Sequence, residues 1–216
     1  MVFWVPKKAL MLGKPATVKP QEFFHINART GTGAATTVTS GFQPSMAMIK
    51  QRSSPSNDWR FVYRAGYHLV PRTSSAEAAD AAGVTAFTSS GLNLGSSTNY
   101  NNSGSTYIDY LFASMPSAHI SLSYTGDGSA SKTVACDLES TPGMIIVKRR
   151  NSSGDWYIYH VDMGSGSAAY FNGFASSFAS AGVWNNSTPT SSSFDVAGNL
   201  NISGAVYDVS VFANNP

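Results

Sequence analysis

The sequence predicts an all-β protein: two tandem, duplicated antiparallel β-sandwich or jelly-roll units behind an N-terminal arm. Three observations predict it. Charged residues are only 12% of the 216 positions, about half the usual ~25%, and Ser, Thr, Gly and Asn supply the polarity. Those residues, with Val and Tyr, suit strands and tight turns. Apolar and polar residues also alternate in short runs, at strand spacing. Finally, one phrase occurs twice: Pro142-Gly-Met-Ile-Ile-Val-Lys-Arg-Arg leads to Asp155-Trp156, and Pro44-Ser-Met-Ala-Met-Ile-Lys-Gln-Arg leads to Asp58-Trp59.

The register of the duplication drifts slowly. Gly31 and Gly126 are 95 positions apart, Lys50 and Lys148 are 98, Trp59 and Trp156 are 97, and Tyr107 and Tyr207 are 100. Small drift means short loop insertions on a common framework of seven or eight strands per unit. The expected divisions are an arm over 1–20, a first sandwich over 21–116 and a second over 117–216.

The arm lies outside the repeat. Phe3, Trp4, Leu10, Met11 and Leu12 make it apolar, while Pro6, Pro15 and Pro20 keep it extended. Either it packs on its own domain, or these five side chains anchor it on a neighbouring subunit. In the first unit, Phe24, Ile26 and Ala28 alternate with polar residues, and a Thr30-Gly-Thr-Gly33 turn follows. Strands are expected at 36–39, 46–50, 59–63, 67–70, 91–94 and 106–112. Residues 73–83 are the best helix candidate, with a Ser74/Glu77 capping box and Gly83 as the stop. They lack an apolar stripe, so at most a turn or two is expected. In the second unit, strands are expected at 120–124, 132–135, 144–150, 156–161, 168–171, 183–184, 193–196 and 205–212. A polar turn at Asn151-Ser-Ser-Gly154 marks the central hairpin.

The bulk numbers exclude several classes. A net charge of +2 is too small to argue for nucleic acid. No stretch approaches the ~20 apolar residues that span a bilayer. Lys7 and Lys8 fall inside the first apolar run, unlike a signal peptide, so use without Sec export is expected. The single cysteine, Cys136, rules out an internal disulfide and reads as a small buried hydrophobe.

Catalytic constellations are weak. A glycosidase needs two carboxyl groups flanking one bond, but the candidate pairs recur in both copies: Asp58 with Asp155, and Asp109 with Asp208. Recurrence favours a structural role. His25, His68, His119 and His160 lack a nucleophile-elbow context. No cofactor is expected. Asp127, between two glycines, and Asp155 with Asp162 offer oxygen ligands for a loop calcium. Asn101, Asn151, Asn185 and Asn201 begin Asn-x-Ser triplets, as expected by chance in so Ser- and Asn-rich a chain.

Aromatics are the candidates for stacking on a sugar ring. Alternation puts Trp156, Ile158 and His160 on one face of a strand, with Tyr157 and Tyr159 on the other. One face must be core. Trp59 and Trp156, kept in both copies, read as core. Trp184, in a loop rich in Asn and Thr, reads as the exposed ring, with Asn185, Asn186, Tyr157 and Tyr159 as further surface contacts.

The ordered set of motifs resembles a domain repeat common in tail-associated structural proteins of tailed bacteriophages. The second copy carries it at 124–128, 142–150, 155–156, 184–191 and 203–212; the first copy at 30–33, 41–52, 58–59, 91–95 and 103–113. The first copy departs in two places. It has Ala28-Arg29 where an aromatic is usual, and the Glu77 region where the second has Trp184-Asn-Asn. The resemblance implies a concanavalin-like sandwich and a non-enzymatic virion protein on the tail or capsid exterior. Tail-fibre and capsid-decoration placements both fit it. It implies other virion proteins as partners, homo-oligomerisation with a trimer favoured, and host-surface carbohydrate as a further partner. A free lectin-like module is the alternative of another class.

Overall fold

The computed structural model describes residues 18–173, 178–179 and 182–214. The anchor candidates Phe3, Trp4, Leu10, Met11 and Leu12 lie outside the described residues. The description opens on one helical turn, α1 (Pro20–Phe23), with proline at its start, where a missing N–H costs nothing.

The first repeat then forms β1 (Phe24–Thr30), β2 (Thr36–Thr39), β3 (Met46–Gln51), β4 (Arg60–Val62), β5 (Tyr67–His68), β6 (Ala78–Ala79), β7 (Val84–Thr88), β8 (Gly91–Leu94), the short α2 (Thr98–Asn101) and β9 (Thr106–Phe112). The second forms β10 (His119–Thr125), β11 (Lys132–Ala135), β12 (Pro142–Arg149), β13 (Trp156–His160), β14 (Ser167–Tyr170), β15 (Phe178–Ala179), β16 (Ser193–Val196) and β17 (Val206–Ala213). The order β1-β9-β3-β4 in one main sheet matches β10-β17-β12-β13 in the other, which continues through β14 and β15. Every pairing is antiparallel.

A small sheet covers one face of each main sheet: β2-β8-β7 in the first repeat and β11-β16 in the second. Val38, Leu92 and Leu94 of the first cover meet Ala47, Ile49, Tyr107 and Leu111 of its main sheet. Val134, Phe194 and Val196 meet Ile145, Val147, Val209 and Val211 in the second. Each repeat is therefore a two-layer sandwich with its own core. Cys136 is buried in the second core, where burial pushes its thiol pKa up.

The other face of each main sheet does not meet water over much of its area. Met46, Phe61 and Leu69 of the first repeat pack on Ile146 and Trp156 of the second, with Phe112, Met144, Ile158 and Phe212 around them. The two sandwiches stand back to back, main sheet against main sheet, in four layers. Strands β12 and β13 are thus apolar on both faces, the pattern expected of strands covered on both sides.

The helix expected over 73–83 does not form. The segment holds β6, which pairs with β5, and its backbone is spent on the other repeat. Gly154 N donates to Ser74 O at 2.8 Å, and Glu77 N donates to Arg150 O at 2.8 Å. Without an apolar stripe to hold a helix, these bonds to the neighbouring hairpin prevail. Val183 and Trp184 form a turn and not a strand. Strand β7 and helix α2 have no counterpart among the expected elements.

Candidate functional site

Polar and aromatic side chains gather along the seam between the sandwiches. Trp156 is fully buried, edge-on to Phe61 with centroids 5.2 Å apart, and its Nε1–H donates to Thr73 O at 3.1 Å. Phe112 and Phe212 cross edge to face at 5.8 Å. His119 packs 4.7 Å from Phe212 and its Nδ1 lies 2.9 Å from Ala113 O. Burial pulls its pKa down to about 4, so the imidazole is neutral at pH 7 and the Nδ1–H donates.

Charged groups line the same seam, each ion pair within one repeat. Arg150 Nη1 donates to Asp208 Oδ1 at 2.9 Å. Burial pushes the Asp208 carboxyl up to about 6, against the opposing pull of Arg150. Arg64 grips Glu77 with two hydrogen bonds, 2.6 and 3.0 Å. Lys148 is buried and donates to Arg149 O at 2.7 Å and Ser74 O at 3.2 Å. Its burial brings the ammonium pKa down to about 8. Tyr63 OH lies 3.0 Å from Ser210 Oγ, and burial raises that phenol's pKa.

At one end of the seam, Asp208, Arg150, Tyr63, Ser45, Ser121 and Ser123 line a cleft of about 200 Å³. A carboxyl displaced towards neutrality in a cleft is a candidate functional group. It can hold or release one proton near pH 6 and accept hydrogen bonds. Among the groups lining that cleft it is the only carboxyl, whereas glycoside hydrolysis needs two.

The recurring acids are placed differently from expectation. Asp109 and Asp208 do not occupy equivalent positions. Tyr107 matches Tyr207, so the counterpart of Asp109 is Val209. Asp109 points into the first sandwich beside Arg29, whereas Asp208 points into the seam. A one-residue offset on a strand reverses the face. Asp58 is paired with Arg72, and Asp155 accepts from Asn172 at 2.9 Å.

The surface-contact candidates divide. Trp184 is fully buried, packed edge-on to Tyr159 at 5.9 Å, so the expected exposed ring is instead part of the second core. Tyr157 and Tyr159 are buried too, as the inner face of β13. The neighbouring Val183 drives this: two consecutive apolar residues bury their segment against Val196 and Phe194. Asn185 and Asn186 are exposed, each at φ 51°, a left-handed turn that Asn tolerates well. They do not gather with the buried aromatics into one exposed site.

Of the calcium candidates, Asp127 is committed elsewhere, Asp155 accepts from Asn172 through one oxygen, and Asp162 is exposed beside His160. The Asp127 carboxylate accepts from Ser129 N, Ser129 Oγ, Asn201 Nδ2 and Lys132 Nζ. The Ser129 hydroxyl foremost, with these other donors, holds its pKa below the usual carboxylate range. Among the described residues, no three His, Cys, Asp or Glu side chains gather to hold a metal. No described helix is long and apolar enough to cross a membrane.

Two residues dismissed as chance triplets are structural keystones. Asn101 and Asn201 are 0% and 2% exposed. Asn101 Nδ2 donates to Ala34 O and Gly95 O while its Oδ1 accepts from Thr32 N. Asn201 repeats the scheme with Ser129 O and Asp127 N. Beside them, a Cβ on Gly31 or Gly126 would strike the carbonyl oxygen of Asn102 or Ile202, so only glycine fits. A signal was present: the two Asn are 100 positions apart, the same interval as Tyr107 and Tyr207.

A family model described as a domain of unknown function, DUF7483, matches residues 19–121 and again 117–216. No curated protein matches the chain.

Proposed function

The chain belongs to the DUF7483 family, in two copies, and from that premise we propose that it is a non-enzymatic structural protein of a tailed-phage virion. In this reading it is a tail- or fibre-associated component that touches neighbouring virion proteins or the host surface. One observation carries the proposal. The two sandwiches are locked back to back through Trp156, Phe61, Phe112 and Phe212, and the aromatics Trp156, Tyr157, Tyr159 and Trp184 are spent on packing. Such a block suits load-bearing and display. The resemblance read from the ordered motif set supports the same reading.

Purified protein added to host cells before the parent phage tests the reading. Dose-dependent loss of adsorption is expected, together with detection of the chain in purified particles. Absence from the particles sinks the virion role. A second arm tests the anchor at Phe3, Trp4, Leu10, Met11 and Leu12: removal of residues 1–20 is expected to abolish incorporation, and normal incorporation would rule the anchor out.

A further inference from the structure

A second cleft, of about 190 Å³, opens on the second sandwich beside β12 and β13. It lies on the cover-sheet side of β12, and its lining differs between the repeats. Arg149 and Asp155 flank it, Tyr157 and Tyr207 form its inner wall, and Ile202 stands at its edge, 39% exposed. We propose that this cleft binds one neutral sugar ring.

The donor and acceptor set carries the assignment. Arg149 forms no ion pair with any described residue; its Nε reaches only Asn151 Oδ1, at 3.5 Å. A guanidinium left with free N–H groups offers two parallel donors. Asp155 Oδ1 accepts from Asn172, and its Oδ2 accepts from no described residue. One group donates and the other accepts, so the cleft suits neither a simple anion nor a simple cation. Adjacent hydroxyls, which both donate and accept, satisfy the two together. Ile202, 39% exposed, gives the C–H face of a ring an apolar surface. The volume lies below the ~300–1,000 Å³ of drug-sized pockets, which fits one ring.

The wall is preorganised. Tyr207 OH accepts from Ile202 N at 3.1 Å and donates to Asn199 O at 2.8 Å. Asn199 Nδ2 donates to Tyr157 OH at 2.9 Å. The first repeat fills the same place with its own side chains. Gln51, the counterpart of Arg149, accepts from Asn57, and Asn57 is the counterpart of Gly154. Arg60, the counterpart of Tyr157, donates to Asn99 Oδ1 at 2.8 Å. Where the second repeat has glycine beside an arginine, the first has an asparagine bonded to a glutamine.

The test puts the first repeat's residues into the second. Saturation-transfer NMR is run on the full chain with glucose, galactose, N-acetylglucosamine and rhamnose, and repeated with Gly154→Asn and Arg149→Gln. A Cβ at Gly154 would lie 3.4 Å from Arg149 Cβ, an ordinary contact, and Arg149 lies in a partly exposed strand end. Both variants are expected to melt with the parent. The expected result is transfer to at least one sugar from the parent, with affinity about tenfold weaker or worse in each variant. No transfer to any of the four sugars overturns the proposal. So does undiminished binding by whichever variants keep the parent's melting curve. The proposal stands independently of any place in a virion.

Discussion

Tyr124 in the second sandwich stacks on Tyr207 at 4.8 Å and donates its hydroxyl to Leu200 O at 2.8 Å. Arg29, its counterpart in the first, lies 4.5 Å over the Tyr107 ring and donates from Nη2 to Tyr100 O at 2.7 Å. A guanidinium thus replaces a phenol, making the same stacking and the same backbone bond. The added charge is met one strand over. Asp109 accepts from Arg29 Nε at 2.8 Å where the second repeat has Val209, and Asn27 also donates to it where the second has Leu122. The inner face of β1 is polar and that of β10 apolar.

The outer faces compensate. On β1, Phe24, Ile26 and Ala28 face the seam side; on β10, His119, Ser121 and Ser123 do. The fold therefore accepts either polarity on this strand, provided the buried charges arrive as a pair. An unpaired buried charge is costly, while exchanging a whole buried pair for an apolar one is often neutral or better.

Asp109→Val breaks that arrangement by stranding Arg29 inside the sandwich. It is expected to cost about 3–5 kcal/mol, read as a fall in the urea midpoint. Adding Arg29→Tyr installs the second repeat's solution and should recover most of the loss. A double variant no better than the single one would falsify the equivalence of the two pairs.

The seam gives the next largest effect. The counterpart of Asp208 in the first repeat is Ile108, so this ionisable group belongs to one repeat alone. Burial raises its folded pKa to about 6, whereas an unfolded Asp titrates near ~3.9. The folded state binds that proton more tightly. Its stabilising contribution is full below about pH 4 and is lost, by about 3 kcal/mol, as pH rises through 6. Urea midpoints across this window should show the slope in the parent and lose it in Asp208→Asn. An unchanged slope in the variant would assign it to another group.

Asn101→Ala and Asn201→Ala sharpen the comparison from the conserved side. Each leaves buried turn groups without partners, at about 1–3 kcal/mol. The two should agree, because the networks are the same; costs differing by more than the spread of that range would mean that the turns are not equivalent. Trp156→Phe is the smallest change. It keeps the seam's aromatic packing but removes the Nε1–H bond to Thr73 O, at about 1 kcal/mol, measured by thermal melt. No loss at all would make that bond incidental.

Much of the fold was legible in the sequence because strand alternation and glycine turns are local signals. Once the duplication is seen, the strands of one repeat indicate those of the other. The site residues were less legible. Trp156 and Tyr157 alternate, so one had to be core and the other free; both are buried, one by its own cover sheet and one by the other repeat. Trp184 looked exposed because its neighbours are Asn and Thr, but burial is decided by what Val183 and Trp184 can reach in space. The helix expected from Ser74 and Glu77 lost to backbone bonds with residues 150 and 154, far along the chain.

Composition, alternation and the duplicated phrase sufficed for an all-β chain of two like units, because each strand's preference and each turn's glycine act over a few residues. The back-to-back seam, the raised carboxyl of Asp208, the inward turn of Trp184 and the cleft beside Gly154 arise between residues distant in the chain. Burial and pairing energies depend on which surfaces meet, within each sandwich and between the two, and a local stretch of sequence does not specify that.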